Sequence, residues 1–257
     1  MEHVDYDEIA DGYDRRYERN DYAGVWQALR EFVGDDRARN VLEVGCGTGY
    51  WLARLGESGS CDLAGLDPSL HMLARAQARA GDCDLRHGHA EHLPWSDASF
   101  DRVYCVNALH HFDDQRGFIA EARRVLRSGG GLLCVGLDPH VGSDRWTVYD
   151  CFDGTLEADR RRHPPTTDIR SWMAAVGFER ASSRVAMRVT QRLAGRDALD
   201  SGYLDRGAGS ELALLSTDAY DDGITRIWQH IWDAEDRGDT FQVFAELDLY
   251  ATVGWLA

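Results

Sequence analysis

The chain has 257 residues, of which 44% are hydrophobic, and this composition excludes a mainly disordered or low-complexity protein. It contains 44 Asp and Glu, 28 Arg and no Lys, so its formal net charge is −16. Because such a field repels phosphate groups, we expect no nucleic-acid partner. No apolar run approaches the roughly 20 residues of a membrane helix, and no signal-peptide pattern opens the chain. We therefore expect a cytoplasmic protein without a membrane partner.

Two origins of the Lys-free composition remain open. A surface dense in carboxylates keeps a protein hydrated in concentrated salt, and a GC-rich genome favours Arg and Asp codons. The six cysteines show no CxxC or paired Cys/His spacing, which predicts reduced thiols and no metal site. They are Cys46, Cys61, Cys83, Cys105, Cys134 and Cys151.

The first part of the chain predicts alternating helices and strands. Helical spacing of apolar residues covers residues 1–33. Strands are predicted at 41–44, 63–66, 84–86, 102–106 and 132–137, with helices at 50–55, 70–80 and 118–126. Strands and helices that alternate in this way indicate an α/β protein, whose parallel sheet carries helices on both faces.

Beyond residue 138 the pattern loosens. Residues 142–165 are predicted to be partly helical. Helices are expected at 168–176 and 219–235, and strands at 178–189 and 241–253. No flexible linker separates these pieces, so we expect a single domain over residues 1–257.

The sharpest local signal is the segment Glu43-Val44-Gly45-Cys46-Gly47-Thr48-Gly49. A strand ends in glycines that allow a close approach of a ligand, and a helix follows. The spacing is GxGxG rather than the GxGxxG of dinucleotide sites, and Glu43 would repel a pyrophosphate. The loop therefore favours a cationic ligand without phosphate over a nicotinamide cofactor. Asp67, at the end of the second strand, is placed to accept ribose hydroxyls or to cap the next helix.

These motifs resemble the class I S-adenosylmethionine-dependent methyltransferases, in the small-molecule group related to the ubiquinone and menaquinone biosynthesis methyltransferases. The resemblance extends over residues 40–137 in the family's order, and residues 138–257 match loosely. The matching segments after the glycine loop are Gly65-Leu66-Asp67-Pro68-Ser69, Ala90-Glu91-His92-Leu93-Pro94-Trp95, Ser99-Phe100-Asp101, Leu109-His110-His111 and Arg124-Val125-Leu126-Arg127.

The resemblance implies a Rossmann-like three-layer sandwich with a mostly parallel seven-stranded sheet. Residues 1–35 would form a helical lid, 36–138 the cofactor-binding core, and 139–257 the acceptor-site elements and closing strands. The cofactor would be S-adenosyl-L-methionine, which leaves as S-adenosyl-L-homocysteine, and the partner would be a small-molecule acceptor.

The resemblance also implies individual roles at the cofactor. Glu43 would hold the amino end, the glycine loop would pass under the methionine and adenosine, and Asp67 would bind the ribose. Where the family usually has Asp before Ala90, this chain has His89, whose neutral imidazole can still accept a hydrogen bond. The full predicted cofactor set is Tyr13, Glu43, Gly45, Cys46, Gly47, Gly49, Asp67, Pro68, Met72, His89, Ala90, Glu91 and Asn107.

Transfer of a methyl group from a sulfonium needs a base only when the nucleophile must lose a proton. The predicted base is His110, and the other candidates are His111, His140 and Tyr6. Four aromatic residues could wall an apolar acceptor pocket, although a place in the core is the simpler interpretation. They are Trp146, Tyr149, Phe152 and Trp172.

The sequence argues against one alternative function and leaves another open. Enzymes that methylate amino groups of nucleic acids carry Asn/Asp-Pro-Pro-aromatic after the fourth strand, where this chain has Asn107-Ala108-Leu109-His110. A non-catalytic S-adenosylmethionine-binding regulatory or partner subunit stays open, because the cofactor motifs do not identify an acceptor. The acceptor atom and the oligomeric state are not predicted.

Overall fold

The computed structural model describes residues 14, 17, 20–34, 38–57, 59 and 61–257. Tyr6 and Tyr13 lie outside the described residues. The strands are β1 (Asn40–Val44), β2 (Asp62–Asp67), β3 (Asp84–His87), β4 (Phe100–Val106), β5 (Leu126–Leu137), β6 (Arg145–Trp146), β7 (Arg180–Ala194) and β8 (Gln242–Trp255).

Helices connect these strands. They are α1 (Ala23–Val33), α2 (Tyr50–Gly56), α3 (Leu70–Ala80), α4 (Gln115–Val125), α5 (Thr147–Cys151), α6 (Thr155–Arg162), α7 (Thr166–Ala175), α8 (Gly195–Asp200), α9 (Ser210–Ala213) and α10 (Thr217–Asp236), with a short 3₁₀ turn at Leu109–His111. None of the helices in the described part of the chain is long and apolar enough to cross a membrane.

The strands form one sheet, in which β3, β2, β1, β4 and β5 are parallel neighbours in that order. The antiparallel strand β8 follows β5 and also pairs with β7 and with β6. The described residues thus form an eight-stranded sheet. The prediction of seven strands was wrong, because the sheet also contains the two-residue strand β6. This strand is too short to show an alternating pattern of apolar residues. The α/β class and the parallel sheet are confirmed.

Two apolar clusters cover the faces of the sheet. On one face, Leu42 and Val44 of β1 pack with residues of α4 and α7, such as Phe118 and Met173. On the other face, Val41 of β1 packs with residues of α1 and α2. Because both faces are buried, β1 and β2 are almost continuous apolar runs, as expected for central parallel strands.

Two strand boundaries differ from the sequence prediction. Strand β5 begins at Leu126, six residues before the predicted start, because Leu126 pairs with Phe100 ahead of an irregularity in the ladder. Strand β7 continues to Ala194, five residues past the predicted end, because it pairs with β8 over its whole length. In both cases long-range pairing extends a strand through residues with no alternating pattern.

A third apolar cluster packs α5, α8, α9 and α10 together. Phe152 is fully buried in this cluster, and Gly223 of α10 leaves the space that its ring occupies, since a Cβ there would lie 2.1 Å from the ring. Trp146 borders the same cluster. The core interpretation of these two aromatic residues is therefore confirmed.

Candidate functional site

The glycine loop between β1 and α2 has a backbone that only glycine adopts easily. Gly45, Gly47 and Gly49 have φ values of +73°, +51° and +74°. A Cβ at Gly45 would lie 2.5 Å from Cβ of Ala108, and one at Gly49 would lie 2.9 Å from the backbone of Ala76. Each loop glycine is thus required by its conformation, and two of them also by close packing.

The loop is tied to the end of β2. The backbone N–H groups of Gly45 and Cys46 both donate to the carbonyl oxygen of Leu66, at 2.8 and 3.0 Å. Burial raises the pKa of the Cys46 thiol well above its usual range, and the carboxylates of Glu43 and Asp67 add to this. Cys46 is therefore a protonated, packed thiol rather than a nucleophile.

Asp67 joins the glycine loop to α3. Its Oδ2 accepts from the Gly47 backbone N–H at 2.8 Å, and its Oδ1 accepts from the Ser69 backbone N–H at 2.9 Å. The cap of α3 is the Ser69 hydroxyl, which accepts from the backbone N–H of Met72, a buried residue. The capping role considered for Asp67 thus belongs to Ser69, and the Asp67 carboxylate lies at the loop.

Glu43 is a buried acid beneath the same loop. Its Oε2 accepts a hydrogen bond of 3.0 Å from the hydroxyl of Tyr104, its register partner on β4. Burial raises the pKa of Glu43 well above its usual range, and the nearby Asp67 carboxylate raises it further. The sequence identified Glu43 but missed Tyr104, because only the strand register brings the two side chains together.

Asn107 ends β4 at the same edge of the sheet. Its φ of +49° is unusual for a residue with a side chain, and its backbone N–H donates to Val135 of β5 at 2.8 Å. The following residue, Ala108, packs against Gly45. Asn107 and the glycine loop are thus neighbours, and a strained backbone at this point is typical of a functional turn.

The predicted positions after β2 and β3 differ in exposure. Ala90 is buried, whereas His89 and Pro68 are exposed. The Glu91 carboxylate accepts from the backbone N–H of Asp114 at 3.0 Å, just before α4. Glu91 therefore has a structural hydrogen bond, and any role at the cofactor comes in addition to it.

The described part of the N-terminal segment contacts the glycine loop. Asp14 accepts a hydrogen bond of 2.7 Å from the hydroxyl of Thr48 and forms an ion pair with Arg79 of α3. Arg79 also donates to the Thr48 hydroxyl at 2.7 Å. The ring of Tyr17 stacks on Tyr50, the first residue of α2, with a centroid distance of 3.7 Å.

A small cavity lies at the carboxyl end of β5. Its lining includes His110 from the 3₁₀ turn, Gly136 of β5, Ile169 of α7 and Tyr250 of β8. His110 is only two residues from Ala108, which touches the glycine loop. The cavity therefore adjoins the cofactor edge on the β5 side, where ligands bind in open α/β sheets.

Segment 139–165 reaches this cavity with different residues from those predicted. His163 and Pro164 line the cavity, whereas Trp146, Tyr149 and Phe152 do not. The hydroxyl of Tyr149 instead donates to the buried Asp159 at 2.8 Å. The prediction that these aromatic residues line the acceptor pocket was wrong, because the apolar side of the segment packs in the third cluster.

Two of the other candidate bases, His111 and His140, contact His110 and His163, respectively. The ring of His111 is 3.9 Å from the ring of His110 between centroids. Nε2 of His140 is 3.0 Å from the carbonyl oxygen of His163. Within the residues that the structure describes, no group of His, Cys, Asp and Glu could hold a metal ion.

Comparison with known proteins agrees with this geometry. Residues 42–134 match a family model described as "Methyltransferase domain". An S-adenosylmethionine-dependent methyltransferase of Mycolicibacterium smegmatis is 40% identical over 141 residues, which cover 55% of this chain and 52% of that protein. O-methyltransferase rstn1 of Aspergillus nomiae is 29% identical over 157 residues, which cover 59% of this chain and 69% of that protein.

A tRNA U34 carboxymethyltransferase of Idiomarina loihiensis is also similar, with 29% identity over 165 residues that cover 60% of this chain and 50% of that protein. Among solved structures, an Anabaena variabilis protein assigned as a methyltransferase of an antibiotic biosynthesis pathway superposes with a TM-score of 0.69. It is 19% identical, and the match covers 89% of this chain and 96% of that one.

The sheet order, the glycine loop and the acid at the end of β2 define a protein of the Rossmann-like methyltransferase fold. More particularly, residues 42–134 match a methyltransferase domain, and the chain is similar to S-adenosylmethionine-dependent methyltransferases. The alignments with the three relatives span from 50% to 69% of their lengths. The narrower grouping with the ubiquinone and menaquinone methyltransferases stays a prediction.

Proposed function

We propose that the protein transfers the methyl group of S-adenosylmethionine to a hydroxyl group of a small molecule bound in the His110 cavity. The observation that carries this proposal is that a mostly apolar cavity with a few polar side chains adjoins the glycine loop. Apolar walls with a few polar side chains are typical of sites for small organic ligands. The choice of oxygen is supported by the relative described as an O-methyltransferase.

The residues at the loop fit a cation without phosphate. Glu43 and Asp67 lie near the ends of β1 and β2, and both are less than 10% exposed. Glu43 and Asn107 would hold the methionine part, and Asp67, whose carboxylate lies at the loop, would hold the ribose. Met72 would pack against the adenine, and the backbone of Ala90 would meet a ring nitrogen of the adenine. Bound S-adenosylmethionine supplies an activated methyl group.

In this proposal the residues of the chain position the acceptor and exclude water from the site. The cavity would place the acceptor oxygen in line with the methyl carbon, which removes much of the entropic cost of the reaction. His110 lines the cavity and remains the residue that the sequence selects as a base. A net charge of −16 disfavours tRNA as the acceptor, although a tRNA-modifying relative makes it the second candidate.

The test is transfer of isotope-labelled methyl groups from S-adenosylmethionine to a small-molecule extract and, separately, to tRNA, with mass spectrometry of the products. We expect label in a small molecule only. Label in tRNA would overturn the choice of acceptor. S-adenosylmethionine binding with no labelled product in either pool would favour the non-catalytic regulatory subunit.

A substitution in the cavity sharpens this test. Gly136 lines the cavity, and a Cβ there would meet no atom within 4 Å. Gly136→Ala should therefore fill acceptor space without a clash, and it should reduce methyl transfer while affinity for S-adenosylhomocysteine stays unchanged. Gly56→Ala, on α2 away from the cavity, is the matched control. Full activity in Gly136→Ala would move the acceptor to another site.

A further inference from the structure

Glu43 and Tyr104 form a hydrogen-bonded pair inside the sheet. They are register partners on the parallel strands β1 and β4, and the Tyr104 hydroxyl donates to Oε2 of Glu43 at 3.0 Å. Both residues are buried, with Glu43 1% and Tyr104 0% exposed. On the other side of β1, the register partner of Glu43 is Gly65 of β2, which has no side chain. Of these two register partners, Tyr104 alone can therefore donate a side-chain hydrogen bond to Glu43.

The Tyr104 ring lies in the apolar cluster between the sheet and the helices α1 and α2. Its neighbours in this cluster include Val41 and Leu133, which are fully buried. Phenylalanine would fill the same space without the cost of burying a hydroxyl group. The hydroxyl of Tyr104 is satisfied because the Glu43 carboxylate accepts its hydrogen bond. The polar atom of Tyr104 thus meets the acid that precedes the glycine loop.

The groups that face Glu43 come from the neighbouring strands, the glycine loop and α2. Burial raises the pKa of Glu43 well above its usual range, and the Asp67 carboxylate acts in the same direction. Hydrogen bonds from the Tyr104 hydroxyl and from the backbone N–H of Leu52 in α2 oppose this rise in pKa. Three thiols also interact with the charge of Glu43, and they are Cys46, Cys83 and Cys105. Each of these groups is an acid, a thiol or a neutral donor, so none of them brings a positive charge.

Tyr104 keeps its own proton beside this acid. Burial raises the pKa of Tyr104 well above its usual value, and the Glu43 carboxylate raises it further. The hydroxyl therefore acts as a donor toward Glu43 at neutral pH. A donor to a carboxylate favours the charged form of the acid. Tyr104 thus opposes both effects that favour neutral Glu43, which are burial and the charge of Asp67.

We propose that Tyr104 is a positioning residue for the cofactor, because its hydroxyl orients the Glu43 carboxylate and keeps it negatively charged toward the cation of S-adenosylmethionine. The proposal rests on the part of the proposed function in which Glu43 holds the methionine part. Tyr104 acts through Glu43 and needs no contact with the cofactor. Glu43 lies two residues before Gly45, and its charge acts beneath the loop, where water screens it little.

This arrangement links binding of the cofactor to the protonation of Glu43. A cation beside the loop favours charged Glu43, so S-adenosylmethionine releases a proton from those molecules in which Glu43 is protonated. Tyr104 makes such molecules fewer in the native chain at a given pH. Loss of the hydroxyl should therefore weaken binding most at low pH, where Glu43 is protonated more often. A residue that only fills space would weaken binding equally at every pH.

The first test compares Tyr104→Phe with the native chain by isothermal titration calorimetry with S-adenosylmethionine, from about pH 6 to about pH 9. The ratio of the two dissociation constants cancels the titration of the ligand itself. We expect Tyr104→Phe to bind about tenfold or more weakly at the lowest pH, because a hydrogen bond to a carboxylate is lost. The ratio should fall toward unity as pH rises, because Glu43 then ionises in both chains. A ratio of unity throughout, or a loss that does not change with pH, would overturn the proposal.

A double-variant cycle tests whether Tyr104 acts through Glu43. Glu43→Gln removes the charge, so Tyr104→Phe in that background should cost little further affinity for S-adenosylmethionine. An equal loss in both backgrounds would contradict the proposal. Tyr149→Phe is the matched control, because the Tyr149 hydroxyl also donates to a buried carboxylate, that of Asp159, at 2.8 Å. It should lower the melting temperature and leave the affinity unchanged at every pH.

The second test counts the protons released on binding. Calorimetry in two buffers with different heats of ionisation gives the number of protons that leave when S-adenosylmethionine binds. In Tyr104→Phe, the plot of this number against pH should be displaced upward by about one pH unit or more. Glu43→Gln should lack these protons altogether. Identical plots for the native chain and Tyr104→Phe would show that Tyr104 does not set the charge of Glu43.

These measurements separate the role of Tyr104 from the proposed function. If Tyr104→Phe shows the pH-dependent loss but no small molecule is methylated, the positioning role stands and the proposed acceptor is wrong. If a small molecule is methylated and Tyr104→Phe binds like the native chain at every pH, the positioning role is wrong and the function stands. Native affinity in Glu43→Gln would remove the proposed roles of both residues. Thermal unfolding of each variant shows that affinity is measured on folded protein.

Discussion

Arg79 and Asp14 form an ion pair beside the glycine loop, and each side chain also hydrogen-bonds the hydroxyl of Thr48. Asp14 precedes the first helix of the core, whereas Thr48 is inside the loop that would hold the cofactor. The N-terminal segment is therefore attached to the loop itself. Hydrogen bonds from Arg79 and Thr48 outweigh the effect of burial and lower the pKa of Asp14, so this attachment persists at neutral pH.

We predict that removal of residues 1–20 leaves a folded protein with weakened cofactor binding and no methyl transfer. The truncation deletes Asp14 and the Tyr17 ring that stacks on Tyr50, but none of the strands in the described part of the chain. Water would then enter the site, and the acceptor would lose its alignment. Calorimetry with S-adenosylhomocysteine and a thermal unfolding curve measure the two effects.

Point variants provide the control for this truncation. Asp14→Ala and Arg79→Ala should each weaken cofactor affinity, and the double variant should lose less than the sum of the two, because both changes break the same contact. A truncated chain with full turnover would show that the N-terminal segment does not cover the site.

Asp67→Asn is expected to reduce the affinity for S-adenosylhomocysteine by about tenfold or more. A hydrogen bond to a charged acceptor is worth about 1.5–3 kcal/mol, and the variant loses the charge at the proposed ribose site. Stability should also fall slightly, since the carboxylate holds Gly47 and Ser69 in the folded chain. Isothermal titration calorimetry and thermal unfolding report these quantities separately.

Ser69→Ala is the matched control for Asp67→Asn. It removes the cap of α3, which should lower the free energy of unfolding by about 1 kcal/mol and leave cofactor affinity nearly unchanged. If Asp67→Asn behaved in the same way as Ser69→Ala, with stability lost and affinity per folded molecule retained, Asp67 would be a structural residue only.

Glu43→Gln is expected to stabilise the protein at neutral pH and to weaken its affinity for S-adenosylmethionine. The pKa of Glu43 is raised in the folded state, so its contribution to stability is fully present below the unfolded value of 4.5 and is lost as pH rises through the folded pKa. Glutamine keeps the bond from Tyr104 without the charge. The difference in melting temperature between the variant and the native chain should therefore grow in favour of the variant from about pH 5 to about pH 8.

The predicted change in ligand affinity for Glu43→Gln depends on the positive charge of S-adenosylmethionine. The affinity of S-adenosylmethionine should fall more than that of S-adenosylhomocysteine, which has no sulfonium, if Glu43 acts over a distance on the whole charge. An equal loss for both ligands would place Glu43 at the amino group alone. No loss for either would restrict Glu43 to a structural role with Tyr104.

The melting temperature should climb as KCl rises through about 0.1–1 M. The chain has a net charge of −16, so screening relieves repulsion among its carboxylates. Salt also weakens exposed ion pairs such as Arg184 with Glu31, but each such pair is worth little. Asp233→Asn with Asp236→Asn, both exposed on α10, should give a shallower climb. A flat or falling curve would favour codon bias as the origin of the composition.

The cofactor edge was predictable from local sequence because short spacings determine it. The glycines between β1 and α2 and the acid after β2 follow strands in the chain, and parallel strands bring their ends to one edge. Tyr104 could not be predicted in the same way. Its contact with Glu43 depends on the register of β1 against β4, which the sequence does not encode in any local pattern.

The acceptor cavity was less predictable because long-range contacts build it. His110 was found because it follows β4, whereas His163 is brought to the same cavity only by the path of α6 and α7. The aromatic residues of the same segment suggested a pocket wall, but their apolar surface is buried in the third cluster. Apolar character predicts burial, and it does not say against which element.

The long strand β8 sets the order in which the molecule can be completed during folding. Residues 131–137 of β5 pair with residues 249–255, more than a hundred positions along the chain, and Tyr250 and Thr252 also line the cavity. Until β8 docks, β5 is an open sheet edge that could pair with other chains. Contacts so distant in sequence form slowly. Aggregation during refolding should therefore depend on how fast this last strand is captured, and a compound that fills the cavity should act as a folding aid as well as a substrate.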